Sequence, residues 1–278
     1  MKILQDIIST IKKDAPVREV RVGPFWTAVR SRYCGLSSTF FDHNHEAGPP
    51  VKEAGSLTEK SALELCQYAF SDSLLERSIG LAAINSILEV DIENNCLQRV
   101  NASELLLNYG KDKRVSIVGH FPFIPRLKEK AAKLWVLEKH PRSGDLPSIE
   151  AENVIPQSDL VAITGTALLN GTMESLLALC RKDALVMVLG PTTHKSPVWY
   201  RYGVKLISGT IVTEPDTVLK YVSQGIIFSQ FKGRGVKLVT MADSAVRNLT
   251  AELIKQKVSL SKGQVKCFSL LKKAKSSI

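Results

Sequence analysis

The chain is poor in the signatures that assign a function at a glance. Its five cysteines, at 34, 66, 96, 180 and 267, are odd in number and contain no Cys-x-x-Cys pair. Such spacing builds neither a disulfide framework nor a thiolate zinc site, and a reduced cytoplasmic protein is expected. No apolar run approaches the ~18 residues of a membrane span. The N-terminal stretch carries Asp6 among its apolar residues and is too short in hydrophobic length for a secretory signal. There is no Gly-x-Ser-x-Gly elbow, no Walker loop and no His-Glu-x-x-His, so serine-hydrolase and NTPase chemistry has no support. A glycine-rich dinucleotide fingerprint is missing as well. The junction where one belongs, Val118-Gly-His-Phe-Pro-Phe-Ile-Pro125, has a single glycine among rings and prolines. A bound pyrophosphate would clash there, and no conventional NAD or FAD is expected.

A net excess of either charge is also missing over most of the chain. The formal net charge is +10, yet 11 of the 37 Lys/Arg and only 2 of the 27 Asp/Glu lie from Lys232 onward. The body is nearly neutral, and the excess belongs to a C-terminal extension over residues 243–278, read as a solvated helix and frayed tail. Phosphate contact through that tail is the weakest functional reading, and nucleic acid is not an expected partner.

What the chain does have is a repeated strand, polar turn and helix. Arg114–Val118 runs into Gly119-His120-Phe121-Pro122, and Lys133–Glu138 ends in an acid. Leu160–Ile163 runs into Thr164-Gly165-Thr166, and Ala184–Leu189 into Gly190-Pro191-Thr192-Thr193-His194. Short all-apolar strands between helices predict a parallel sheet covered on both faces. Ligands of such sheets sit beyond the carboxyl ends of the strands, where these loops gather. Upstream, apolar positions 3, 4, 7, 8 and 11 predict a first helix, and 17–22, 25–31 and 33–41 an antiparallel meander. Ser56-x-x-Glu59 and Ser73-x-x-Glu76 read as capping boxes for helices over 62–70 and 74–90. The fold class is therefore α/β, with a small α+β domain over 1–109, a parallel-sheet domain over 110–242 and the extension over 243–278. The long connection 141–156 is a candidate lid or cleft wall.

Several residues can carry chemistry at that sheet edge. His120 leaves its strand at the ligand face, as a general acid or base, a metal ligand, or a turn histidine held by backbone. Glu138 stands where nucleotide-binding folds place an acid against ribose hydroxyls, though a solvated carboxylate is the plainer reading. Thr164, Gly165, Thr166 and Asn170 lead into a helix and can either face an anion or cap that helix. Gly190, Pro191, Thr192 and Thr193 form the fourth loop, with the His194 imidazole beside them. Asn85, on a helix apolar nearly all round, either packs helices together or reaches the cleft between domains. Asp42-His43-Asn44-His45-Glu46 is the densest group of metal donors, and His43 and His45 are the candidate metal ligands, against an exposed polar loop.

Taken in order, Ser78–Asn85, Val118–Pro122, Leu137-Glu138, Gly144-Asp145, Ile163-Thr164, Leu189–Thr192 and Leu206–Gly209 resemble a bacterial and archaeal family. That family is described as heavy-metal chelation proteins of unknown biochemical activity. The resemblance spans about residues 10–240. It implies an enolase-N-terminal-like domain followed by a Rossmann-like domain, with a ligand site between them. Carried over by position, the site would use Asn85, His120, Phe121, Glu138, Thr164 and the loop 190–193. The expected function is binding of a small ligand in an interdomain cleft, as a transition-metal ion or its complex. The alternative is an enzyme acting on a small anionic metabolite in cofactor biosynthesis, with His120 and Glu138 as catalytic candidates. The sequence leaves the oligomeric state open, a homodimer included.

Overall fold

A computed structural model describes residues 1–41, 49–91, 96–97 (backbone), 101–231 and 233–247. The candidate metal ligands His43 and His45 and nearly all of the basic extension lie outside the described residues. The apolar spacing at the start winds into helix α1 (Lys2–Ile8), which buries Ile3, Leu4 and Ile7 completely. The meander follows as β1 (Glu19–Val22), β2 (Trp26–Arg30) and β3 (Cys34–Ser38), each antiparallel to the next.

Two helices then pack on this sheet, starting at Ala62 and Leu74 as expected, but their caps differ from the expected ones. The capping box belongs to Ser61 and Glu64 at α2 (Ala62–Cys66), with side chain and backbone bonded in both directions. Ser56 precedes only a three-residue 3-10 turn and makes no side-chain cap. At α3 (Leu74–Ile87) the Ser73 hydroxyl accepts from the Glu76 amide. The Glu76 carboxylate is drawn away, accepting from the Lys52 amide and the Ser71 hydroxyl. The helix also ends at Ile87, three residues before the expected end at Val90.

Helix α3 is buried without a break from Ser78 to Ile87. It sits that deep because two glycines let backbones meet. A Cβ on Gly35 would lie 2.1 Å from the Ala82 carbonyl oxygen, and one on Gly80 would lie 2.0 Å from the Ala69 nitrogen.

The second sheet has eight strands in the order β4-β11-β10-β9-β8-β5-β6-β7. These are β4 (Cys96–Leu97), β5 (Arg114–Val118), β6 (Lys133–Glu138), β7 (Leu146–Pro147), β8 (Leu160–Thr164), β9 (Leu185–Leu189), β10 (Leu206–Val212) and β11 (Val236–Ala242). Strands β5 to β10 are parallel, while β11 runs antiparallel to β10 and β4 antiparallel to β11. Counted from β5, the parallel strands lie 3-2-1-4-5-6. In a doubly wound sheet of this order the direction of winding reverses between the first and fourth strands, here β5 and β8.

Alternation along the strands feeds both faces. Val161, Ile163, Val186 and Val188 join the core around α3, whereas Leu160, Ala162, Met187 and Leu189 join a core with α4 (Ala102–Tyr109). Helix α4 closes the expected first domain in sequence, yet its Leu105, Leu106 and Leu107 pack on the large sheet.

Candidate functional site

At the reversal point the chain must turn sharply. Gly119 adopts φ +105°, and a Cβ there would lie 3.1 Å from the Thr164 side chain. This turn puts His120 and Phe121 on the wall of a cleft of about 840 Å³. Glu138, Lys139 and His140 follow from the end of β6, and Thr164, Thr166 and Asn170 from beyond β8. Ser148, Ile149 and Glu152 of the long connection close one side, and Phe40, Phe41 and Leu74 of the N-terminal half close another.

The strongest polar geometry on that wall is a pair. His120 Nδ1–H donates to Asp145 Oδ2 at 3.2 Å, and the Arg142 amide donates to the same oxygen at 3.1 Å. The Asp145 side chain is 5 % exposed and the imidazole 26 %. A nearly buried carboxylate thus fixes the ring and its tautomer, and leaves Nε2 as the nitrogen able to meet a ligand. Opposite, Lys139 Nζ donates to Asn170 Oδ1 at 3.1 Å, tying the end of β6 to the loop after β8. Thr164 Oγ1 accepts from the Thr166 amide and lies 3.0 Å from Thr166 Oγ1. Neither Asn170 nor Thr172 makes a side-chain cap on the next helix, α7 (Met173–Ala178), because Asn170 is engaged by Lys139. The shorter helices between, α5 (Ile124–Lys128) and α6 (Ala151–Val154), flank β6.

The remaining expected residues lie elsewhere. Asn85, Gly165 and Gly190 to Thr193 are off the cleft wall, in a closed polar junction between the two sheets. The physical reason is contact between loops: a Cβ on Gly165 would stand 2.6 Å from Thr193 Oγ1. Ser38 N–H donates to Thr192 Oγ1 at 2.9 Å, joining the meander to the fourth loop. Asn85 is the hub. Its Nδ2 donates to the Leu36 carbonyl at 3.0 Å and faces the Thr192 carbonyl at 3.4 Å. Its Oδ1 accepts from His194 Nδ1 at 3.0 Å and Lys195 Nζ at 3.2 Å. His194 is fully buried, and burial, helped by the Lys195 charge, pushes its pKa down to about 3. Its imidazole is locked inside this junction and is not offered to the cleft.

Sequence reasoning missed Asp145 as a partner of His120. The signal was present in the polar segment 141–156 that leads back to the sheet, but no spacing rule links the two positions.

A large, mostly parallel sheet with a cleft at its reversal point, and a smaller lobe against the neighbouring strand ends, defines an α/β protein. Two family models cover the chain, DUF4213 over residues 4–88 and DUF364 over residues 101–241, both described as "Putative heavy-metal chelation". The chain belongs to this family. An uncharacterized protein of Methanocaldococcus jannaschii is 28 % identical over 184 residues, 64 % of this chain and 71 % of that protein. The crystal structure of a DUF364 protein of unknown function from Desulfitobacterium hafniense matches with a TM-score of 0.77 at 26 % identity, covering 87 % of this chain and 98 % of the other. A Pyrococcus horikoshii DUF364 structure, also of unknown function, shares the fold with a TM-score of 0.72 at 20 % identity and the same coverage.

The family description invites a metal, so the donor set is the test. Among the described residues no three His, Cys, Asp or Glu side chains converge. Burial pushes the Cys34 and Cys66 thiols up to about 12 and Cys180 to about 11. Cys34 and Cys66 are buried, and none of the three thiols belongs to a cluster of metal donors among the described residues. The described side chains do not fit a chelate made by protein alone.

Proposed function

We propose that the protein binds a small, polar organic ligand, free or as its metal complex, in the cleft at the carboxyl ends of β5, β6 and β8. One observation carries the reading: a cleft of about 840 Å³ has His120 on its wall, held by Asp145, with apolar side chains on its flanks. Such a volume matches ordinary small-molecule sites, with few polar groups set among apolar walls. Among the described residues no donor cluster encircles a bare ion, so where metal is the cargo an organic ligand sharing its coordination is the reading these side chains support. His120 Nε2 contributes at most one bond.

Thermal-shift and calorimetric screening of metabolites, each with and without Ni²⁺, Co²⁺, Fe²⁺ or Zn²⁺, tests this. A ligand at 100 times its Kd raises stability by about 2.7 kcal/mol. His120→Ala is expected to weaken that ligand about tenfold or more while leaving the melting temperature within about 2 °C, since the ring is on the rim. Bare ions that bind tighter than the ~10⁻⁴ M of weak surface sites, with no dependence on the cleft, would sink it.

The His120–Asp145 geometry also favours a second reading, an enzyme in which His120 exchanges a proton with the bound metabolite and Asp145 positions the ring. That reading requires a product. Turnover of a screened ligand that disappears in His120→Ala but survives at reduced rate in Asp145→Asn supports it, and binding without conversion refutes it.

A further inference from the structure

We propose that the ligand of this cleft is a ribonucleoside unit that lacks phosphates, held by Glu138 through the two ribose hydroxyls. This rests on the cleft being the ligand site and adds the chemical class of what enters it.

The large sheet offers two half-sites, one on each side of the reversal between β5 and β8. The half beyond β9 is filled. Thr192, Thr193 and His194 are at most 1 % exposed, sealed by the smaller lobe through Asn85 and Ser38. A dinucleotide needs both halves, so only one mononucleoside half stays open.

In that half Glu138 ends the second parallel strand, half-buried on the cleft wall beside the turn at Gly119. A carboxylate has two oxygens and accepts only, so it can take both donors of a vicinal diol at once. On the same cleft wall Phe121 stacks on Phe123 with centroids 5.2 Å apart and planes 14° from parallel. That braced ring offers a flat apolar surface suited to a base.

Phosphates find nothing comparable. Pro122 and Pro125 remove two amides from the loop where phosphate would sit, and the Ile124 amide is already spent on the Phe121 carbonyl at 3.1 Å. Among the described residues on the cleft wall the one Lys or Arg is Lys139, whose ammonium is bonded to Asn170.

The test is calorimetric titration of the full chain with adenosine, guanosine, cytidine and uridine, their 2′-deoxy and 3′-deoxy forms, and AMP, ADP and NAD⁺. At least one ribonucleoside is expected to bind, with each deoxy form about tenfold or more weaker. The 5′-phosphates are expected to bind no tighter than the nucleoside. Glu138→Gln should weaken the ribonucleoside about tenfold and shrink its advantage over both deoxy forms, while leaving the unfolding midpoint in urea unchanged. Three results overturn the inference: no nucleoside bound at 1 mM, equal binding of ribo and deoxy forms, or a nucleotide preferred over its nucleoside. If nucleosides fail while another metabolite binds in a His120-dependent manner, only the ligand class is wrong. If nothing binds there, the cleft reading falls with it.

Discussion

Asp145 and the buried thiols show how burial and the partners around a side chain together set what it can do. The Asp145 side chain is nearly inaccessible yet has its partners, because an imidazole and a backbone amide both donate to it. Burial dominates the raised pKa of Cys34 and Cys66, and at Cys34 the Arg30 charge only partly opposes it. Both thiols are therefore protonated at pH 8 and shielded from reagent. Alkylation by iodoacetamide at pH 8, followed by mass spectrometry, should leave Cys34 and Cys66 unmodified in the native protein and modify both fully in urea. Rapid native labelling at either position would contradict the packing described around β3 and α2.

At the scale of elements, the contact of α3 with the meander is the most sensitive joint. An alanine at 35 would drive its Cβ into the Ala82 carbonyl oxygen and the Ser86 nitrogen, at 2.1 and 2.4 Å. Backbone on both sides leaves no side chain to move aside. Gly35→Ala is expected to destabilise the protein by roughly 3 kcal/mol or more, read from urea unfolding. A change below about 1 kcal/mol would mean that the helix sits farther from the strand. This joint was not legible in the sequence, because nothing in a Cys-Gly-Leu-Ser-Ser run says which backbone will approach. The parallel strands were. Arg114–Val118, Lys133–Glu138 and the apolar runs at 160 and 185 are short, apolar and punctuated by glycine or hydroxyl residues, and they form β5, β6, β8 and β9. The caps were half legible: Ser73 caps α3, but Glu76 found tertiary partners that local spacing does not foresee. In the same way His120 and Glu138 could be placed on the sheet edge from strand ends alone. Asn85 and the loop 190–193 could not be assigned to wall or junction, because that depends on how the smaller lobe seats.

For the whole molecule, the closed junction makes stability depend on pH. The His194 pKa falls from 6.5 to about 3 on folding, so the unfolded chain binds a proton that the folded chain refuses. Stability contributed by keeping this ring neutral is complete above about pH 6.5. It is lost as pH falls through that value toward the folded one, at up to about 1.4 kcal/mol per pH unit. Urea unfolding at pH 7.5, 6.0 and 5.0 should show this decline. His194→Asn keeps a donor toward Asn85 and should flatten the profile while lowering stability at pH 7.5. An unchanged slope in that variant would place the titrating group elsewhere.

Helix α3 belongs to the packing of both sheets at once, buried along its length from Ser78 to Ile87. A shared rod of this kind leaves little room for a hinge, because bending one lobe away would open the common interior. Recognition by such a body is expected to be preformed. The ordering cost falls on folding, capture proceeds without a closing step, and selectivity comes from the fixed outline of an already shaped recess.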